Sequence, residues 1–192
     1  YGLKASEIIF NAPMIKDQPT SEAPSTVKIH KYFGISPDIP LFVYAGLIDH
    51  GRGIEVTTKV FEDYPHIGNI VFIGWGPLTD FIIAKGHSTE NIHYHPPVHH
   101  YELVSFISDA DYGVCLLEPC SKSDSYALPN KIFEYLSAGL IVLASDLPEL
   151  KTFFSDSSFG VTTSLDQRDI LHAIGKTRAM KKLPRIKTEI FS

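Results

Sequence analysis

The sequence predicts a doubly wound α/β fold, a mostly parallel, Rossmann-like sheet of about six strands with helices on both faces. Short apolar runs alternate with amphipathic stretches along the chain. Several runs are apolar at consecutive positions, which is typical of strands buried on both faces of a parallel sheet. The alternation of such strands with helical stretches indicates right-handed crossover connections.

The apolar runs and the stretches between them define the elements in chain order. The predicted strands are Glu7–Phe10, Leu41–Ala45, Ile70–Ile73, Asn91–Tyr94, Tyr112–Leu117, Leu140–Ala144 and, more weakly, Phe159–Thr162. The predicted helices are Val27–Phe33, Ile54–Tyr64, Leu78–Lys85, His99–Ser108, Pro129–Ala138, Leu147–Phe154 and Asp166–Met180. The polar, proline-rich segment Lys16–Ser25 is predicted to be an exposed loop. Residues 1–192 are predicted to form a single domain.

The bulk composition is that of an ordinary globular protein and argues against nucleic-acid binding. The 192 residues are 44% hydrophobic and 20% charged, with a net charge of −5. Phosphate contacts along a nucleic acid need clustered lysines and arginines. The basic concentration at Lys176–Lys187 is interpreted as a solvated helix end or tail.

Cysteine usage and hydropathy predict a cytoplasmic protein. Cys115 and Cys120 give no disulfide framework, and a reducing compartment is the default. The sequence contains no signal peptide and no apolar run long enough to span a membrane. Because the chain begins at Tyr1 rather than at a methionine, and stops at Ser192 without an obvious end signal, we expect a piece of a longer protein.

Ligands of open parallel sheets bind beyond the carboxyl ends of the strands, where the strand order reverses. The loop after the Leu41–Ala45 strand contains Gly46, Gly51 and Gly53, and glycines there let a phosphate approach backbone N–H groups. The spacing resembles a P-loop, but Arg52-Gly53 replaces the Lys-Ser/Thr pair, which argues against a nucleoside triphosphatase. Arg52 could form bidentate bonds to a diphosphate, or be a surface arginine beside a plain turn.

The loop after the Ile70–Ile73 strand reads Gly74-Trp75-Gly76-Pro77. Pro77 is predicted at a first helical position, where proline is a common start residue. Gly74 and Gly76 serve close packing, ligand approach or only the geometry of a turn, and the sequence leaves these interpretations open.

The loop after the Tyr112–Leu117 strand is the most informative. A polar stretch, 118–128, leads to Pro129, where the helix is predicted to begin, with Leu128 as its N-cap and Gly139 as its stop. Leucine cannot cap a helix, so the N–H groups of Asn130 and Lys131 are predicted to be free to bind an anion.

The same helix carries a carboxylate one turn further in. Glu134 shares a face with Asn130, whereas Ile132, Phe133 and Leu136 are predicted to face the sheet. A carboxylate near a phosphate-binding helix start is well placed to accept ribose hydroxyls. In the alternative interpretation, water caps the start of this helix and Glu134 is an ordinary surface residue.

The histidine-rich run from His93 to His100 invites a zinc interpretation. His93 and His95 share a strand face, and zinc binds imidazole readily. Two prolines separate them from His99 and His100, and no carboxylate or cysteine stands at ligand spacing. A metal site is therefore not predicted, and His99 and His100 are interpreted as the start of an exposed helix or as neighbours of a bound base.

Four motifs occur in an order that resembles the C-terminal domain of the GT-B glycosyltransferases. They are Ile9-Phe10-Asn11-Ala12-Pro13, Gly51-Arg52-Gly53-Ile54, Ile73-Gly74-Trp75-Gly76-Pro77 and Ala127-Leu128-Pro129-Asn130-Lys131-Ile132-Phe133-Glu134-Tyr135-Leu136-Ser137-Ala138-Gly139. The resemblance is to the retaining, glycogen-synthase-like group (group 1), and within it to the bacterial branch that builds capsules and lipopolysaccharides. It covers nearly the whole chain and implies one lobe of a two-lobed enzyme.

The resemblance assigns roles to residues at matching positions. Arg52 falls where the family grips the donor diphosphate, and Glu134 matches the second Glu of the Glu–seven residues–Glu motif, which holds the ribose. Pro97 and Val98 match the loop along the nucleobase. The backbone of Tyr126, Ala127 and Leu128 would approach the phosphates or the sugar.

Two departures from the family pattern concern donor binding. Tyr126 stands where the first Glu of the motif is expected, and it cannot act as a carboxylate at neutral pH. Leu47 replaces an arginine that often follows the first glycine, which leaves Arg52 and Lys131 to meet the diphosphate charge.

The implied activity is transfer of a sugar, of hexosyltransferase type, from a nucleoside diphosphate sugar to a hydroxyl with retention of configuration. Arg52, Lys131 and the helix start would stabilise the leaving diphosphate, so no metal or other cofactor is expected. The acceptor, a saccharide or a lipid-linked one, would bind a separate N-terminal domain, so this piece alone is expected to be inactive. Peripheral association with the inner face of the membrane is an expectation for the full-length protein.

Two other functions are compatible with the sequence. A sugar-nucleotide 2-epimerase shares the two-lobed architecture, and its product would be a free epimer rather than a glycosylated acceptor. A noncatalytic nucleotide-binding α/β module is favoured by the replacement at Tyr126.

Overall fold

The computed structural model describes residues 27–119, 128–155 and 157–180. Within these residues six strands form one sheet in which every neighbouring pair is parallel. The strands are β1 (Leu41–Leu47), β2 (Asn69–Trp75), β3 (Ile92–His95), β4 (Tyr112–Cys115), β5 (Ile141–Ser145) and β6 (Gly160–Thr163). Their spatial order is β3-β2-β1-β4-β5-β6, the doubly wound order that reverses between β1 and β4.

Helices connect the strands as the crossover rule requires. They are α1 (Ile29–Phe33), α2 (Ile54–Asp63), α3 (Thr79–Ser88), α4 (His100–Ile107), α5 (Asn130–Ser137), α6 (Pro148–Phe154) and α7 (Gln167–Arg178). A single 3₁₀ turn, Pro65–Ile67, follows α2.

The core forms two layers because successive side chains of a strand point to opposite faces of the sheet. Along β1, Leu41, Val43 and Ala45 pack into one cluster, and Phe42 and Tyr44 into the other. All five are 3% exposed or less. Burial on both faces explains why the strands are apolar at consecutive positions.

The doubly wound fold predicted from the sequence is confirmed. Each predicted strand from Leu41 onward and each predicted helix is present, with ends shifted by up to three residues. The predicted strand Glu7–Phe10 and loop Lys16–Ser25 lie outside the described residues. β1 and β2 run further than predicted because their pairing continues through Gly46↔Gly74 to Leu47↔Trp75.

Three local predictions were wrong. Pro77 lies in a turn and not at a first helical position, since the Thr79 N–H donates to the Gly76 carbonyl at 3.0 Å and α3 starts at Thr79. The N-cap of α5 is Pro129 rather than Leu128, because Pro129 keeps an extended conformation (ψ 138°) and the helix starts at Asn130. The residues that α5 buries are Ile132, Tyr135 and Leu136, whereas Phe133 is half-buried beside Phe153.

Candidate nucleotide-sugar site

A cavity of about 430 Å³ lies at the carboxyl ends of β1 and β2. The start of α4 and one face of α5 close its other side. Its walls are Ala45, Gly46, Leu47, Ile73, Gly74, Trp75, Pro97, Val98, His100, Leu103 and Glu134. Five of these, Gly46, Gly74, Pro97, Val98 and Glu134, are residues at which the sequence predicted a binding site.

Gly74 allows β1 and β2 to stay paired where they border the cavity. Gly74 has a φ of 146°, and a Cβ atom on it would lie 1.9 Å from the Gly46 carbonyl oxygen of the neighbouring strand. A side chain at Gly74 would therefore push β1 and β2 apart. Close packing of the strands, one of the interpretations left open by the sequence, thus explains the glycine at position 74.

A tyrosine fills the point where the strand order reverses. β1 and β4 pair only through Phe42↔Tyr112 and Val43↔Gly113. Beyond that pair, the Tyr135 hydroxyl accepts a hydrogen bond from the Ala45 N–H at 2.8 Å and donates one to the Val114 carbonyl at 3.2 Å. Tyr135 is completely buried. It joins the two diverging strands and fixes α5 beneath the cavity.

Lys131 directs its ammonium group under the end of β1. Nζ lies 4.0 Å from the centre of the Tyr44 ring and would be 3.3 Å from a Cβ atom on Gly46. Burial is the main cause that lowers the pKa of Lys131, and the positive charge of Arg52 acts in the same direction. Cys115 and Glu134 favour the charged form. The ammonium thus lies next to the cavity wall, in a place that an added anion would stabilise.

The start of α5 was predicted to offer the N–H groups of Asn130 and Lys131 to an anion. The Ile132 N–H is turned back to the Pro129 carbonyl at 3.0 Å. No side chain of the described residues caps Pro129, and Asn130 is exposed. Leu128 is half-buried against the core cluster beneath the sheet, and Tyr126 and Ala127 lie outside the described residues.

The loop that follows β1 lies beside the end of β4. The Glu118 N–H donates to the Gly51 carbonyl at 3.0 Å. Gly53, the N-cap of α2 with a φ of 68°, has no room for a side chain, since a Cβ would lie 2.6 Å from the Leu116 Cβ and carbonyl oxygen. Arg52 is exposed between them. Burial raises the pKa of the Cys115 thiol, and the positive charges of Lys131 and Arg52 oppose that rise.

Glu134 projects from α5 to the cavity wall and meets a histidine from another helix. Its Oε1 lies 2.9 Å from Nδ1 of His100, the first residue of α4. The Glu134 side chain is 13% exposed and that of His100 is 52% exposed. The sequence predicted the carboxylate but not its partner, because the two residues lie on different helices.

His93 and His95, which precede His100 in the histidine-rich run, have protein partners. His93 Nε2 lies 2.8 Å from the Asn69 side-chain oxygen, and burial lowers the pKa of His93. His95 contacts the rings of Tyr32 and Phe106. Among the residues that the structure describes, no three His, Cys, Asp or Glu side chains lie together as metal ligands would.

The glycosyl transferase-like family model matches residues 55–183. The chain belongs to this family. Curated protein sequences provide no match.

Solved glycosyltransferase structures share the fold of this family member. Sucrose-phosphate synthase from Thermosynechococcus elongatus superposes with a TM-score of 0.60 at 18% identity, covering 79% of this chain and 39% of the synthase. WaaG, a glycosyltransferase involved in lipopolysaccharide biosynthesis, gives 0.60 at 15% identity, covering 83% of this chain and 43% of WaaG. S. aureus TarM, in a complex that contains UDP, gives 0.58 at 12% identity, covering 81% of this chain and 30% of TarM.

These comparisons confirm the resemblance to GT-B enzymes of group 1 on which the sequence interpretation depended. This glycosyl transferase-like chain spans about two fifths of the length of the synthase and of WaaG. In the described part of the chain, no helix is both long and apolar enough to cross a membrane.

Proposed function

We propose that this domain binds the nucleoside diphosphate sugar of a glycosyltransferase in the cavity at the ends of β1 and β2. The observation that carries the proposal is the meeting of Glu134, Pro97 and Val98 around one cavity of about 430 Å³. A nucleoside needs an apolar wall for its base and an acceptor for its ribose hydroxyls. Pro97 and Val98 supply the first, and Glu134 supplies the second.

The positive charges beside the cavity support a diphosphate as the anionic part of the ligand. Lys131 does not line the cavity but lies next to Gly46, which does, and Arg52 is near enough to Lys131 to influence its pKa. The start of α5, which no side chain of the described residues caps, would add backbone N–H groups and the positive end of the helix dipole. Together they would stabilise the negative charge that develops on a departing diphosphate. Fixed cations in this role make a metal ion or other cofactor unnecessary, which is part of the proposal.

The reaction proposed for the whole protein is transfer of a sugar to a hydroxyl acceptor with retention of configuration. The acceptor would be a saccharide or a lipid-linked molecule of cell-surface polysaccharide synthesis in a bacterium. A second domain would hold it at the inner face of the membrane. The UDP in the TarM complex and the role of WaaG in lipopolysaccharide biosynthesis support this direction. Because acceptor groups are assigned to the second domain, this chain by itself should bind donor without turnover.

Titration calorimetry of this chain with UDP, GDP and ADP at equal concentration tests the proposal. We expect one diphosphate to bind more tightly than the others, and the corresponding sugar nucleotide to bind more tightly than the free sugar. Undetectable heats for all three diphosphates and for their sugar nucleotides would reject the donor site.

A further inference from the structure

The contact between His100 and Glu134 joins two helices at the cavity wall. His100 opens α4, Glu134 lies in the middle of α5, and both line the cavity. The two helices pack against each other, which brings Nδ1 of His100 to 2.9 Å from Oε1 of Glu134. The donor-binding roles assigned so far use the carboxylate and leave the imidazole without a role.

The geometry suits an imidazole that holds the carboxylate in place. A free glutamate side chain turns about three bonds, and ordering such a side chain during binding costs conformational entropy. Contact at Oε1 restricts this motion before the ligand arrives. A carboxylate has about four acceptor positions, so one contact leaves others for ligand hydroxyls. Glu134 is 13% exposed, so few alternative partners from solvent compete for it.

We propose that His100 is a positioning residue that fixes the Glu134 carboxylate for the ribose hydroxyls of the donor. This inference rests on the proposed function, in which Glu134 meets the ribose. His100 itself acts through Glu134 and needs no contact with the ligand. Its neighbour His99 is also exposed but stacks on Tyr101 at a ring distance of 5.4 Å and does not line the cavity.

Two variants of His100 distinguish a role in positioning the Glu134 carboxylate from a role in the shape of the cavity. His100→Leu removes the donor at Oε1 and keeps an apolar side chain of comparable reach. His100→Asn keeps an N–H donor close to the position of Nδ1. His99→Leu is the matched control one residue away. Because the His100 side chain is 52% exposed, none of these changes opens a core cavity, and thermal melting of each variant checks the fold.

The probes are the nucleoside diphosphate that the wild-type chain prefers and its 2′,3′-dideoxy analogue. We expect His100→Leu to weaken the diphosphate about tenfold and to change the dideoxy analogue less than about twofold. Glu134→Ala should give the same pattern, because both changes act on the ribose contact. His100→Asn should stay within about threefold of wild type for both ligands, and His99→Leu should not differ from wild type.

Three results would overturn the inference. If His100→Leu binds like wild type while Glu134→Ala loses affinity, the imidazole does not position the carboxylate and the donor site stands. If His100→Leu weakens both ligands equally, its role is in the shape of the cavity. If the wild-type chain binds no nucleoside diphosphate, or Glu134→Ala has no effect, the proposed ribose contact fails and the role of His100 falls with it.

Discussion

The Tyr135 hydroxyl accepts a hydrogen bond from the Ala45 backbone N–H at 2.8 Å, at the point where β1 separates from β4. Parallel strands that diverge leave backbone groups facing a gap, and buried backbone groups without partners are costly. Tyr135 closes that gap by donating to the Val114 carbonyl on the other side. The backbone groups at the point where the strand order reverses are thus paired by the Tyr135 side chain.

Tyr135→Phe should destabilise the protein by about 2–3 kcal/mol, because it leaves the buried Ala45 N–H and Val114 carbonyl unpaired while keeping the ring. Urea denaturation measures the loss as a lower midpoint at an unchanged slope. Tyr94→Phe is the control: it removes one bond, from its hydroxyl to the Gly74 carbonyl at 3.1 Å, in a half-buried place. Its expected cost is about 1 kcal/mol or less. Equal losses in the two variants would contradict a special role for Tyr135.

Two glycine-to-alanine changes should have opposite signs. Gly113→Ala places a Cβ atom 2.3 Å from Cγ and Cδ2 of the Tyr135 ring, so the ring or the strand must move, at a cost of about 1–3 kcal/mol or more. Gly175, in α7, has no atom within 4 Å of the added Cβ. Gly175→Ala should therefore raise stability by about 0.5–1 kcal/mol through helix propensity and the unfolded state. Denaturation of both variants under one condition tests the pair.

The order of strands and helices could be predicted from the sequence because each element has its own local pattern of apolar residues. β1 and β2 are buried on both faces, so their residues are apolar at consecutive positions. An amphipathic helix differs from this pattern because polar residues of its exposed face interrupt the apolar ones. The helix starts were less readable. Proline marks both the first turn of a helix and the residues just before it, so Pro77 and Pro129 could not be placed to within one residue.

Only part of the candidate site could be predicted from the sequence, because the rest depends on tertiary packing. Glu134 and the Pro97-Val98 loop are recognisable as motif positions, and they meet at one cavity. His100 and Tyr135 depend on how α4 and α5 pack on the sheet, and the sequence gives no measure of that packing. His100 is one of four histidines between positions 93 and 100, and Tyr135 stands between Glu134 and Leu136. No sequence pattern distinguishes either residue from its neighbours.

Removing the charged side chain of either Glu134 or Arg52 should weaken binding of the preferred diphosphate. Glu134→Ala and Arg52→Ala should each reduce affinity at least tenfold, about 1.4 kcal/mol, because one loses the ribose acceptor and the other a diphosphate cation. Lys176→Ala is the control, since it removes a positive charge from the exposed last turn of α7. Calorimetry should show no comparable loss for this control. Wild-type affinity in both site variants would reject the site assignment and leave the fold intact.

Lys131→Met should stabilise the ligand-free protein while it weakens diphosphate binding. Burial lowers the pKa of Lys131, which means that the unfolded chain holds the lysine proton more tightly than the folded one. The charge therefore costs stability at neutral pH. Methionine has a similar length and carries no charge, so we expect a gain of about 1 kcal/mol in the free energy of unfolding, even after the contact with the Tyr44 ring is lost.

The lowered pKa of Lys131 also determines how the stability difference between Lys131→Met and wild type changes with pH. The cost of the Lys131 charge is full at pH values below its lowered folded pKa and disappears as pH rises above the ordinary lysine range, where neither state holds the proton. The stability difference between Lys131→Met and wild type should thus be constant near neutral pH and shrink as the pH becomes alkaline. Lys59→Met is the matched control, because a hydrogen bond to Asp63 raises the pKa of Lys59 and its removal should give no gain. A Lys131→Met variant that is less stable than wild type at pH 7, or a gain that grows with pH, would show that the buried ammonium stabilises the fold.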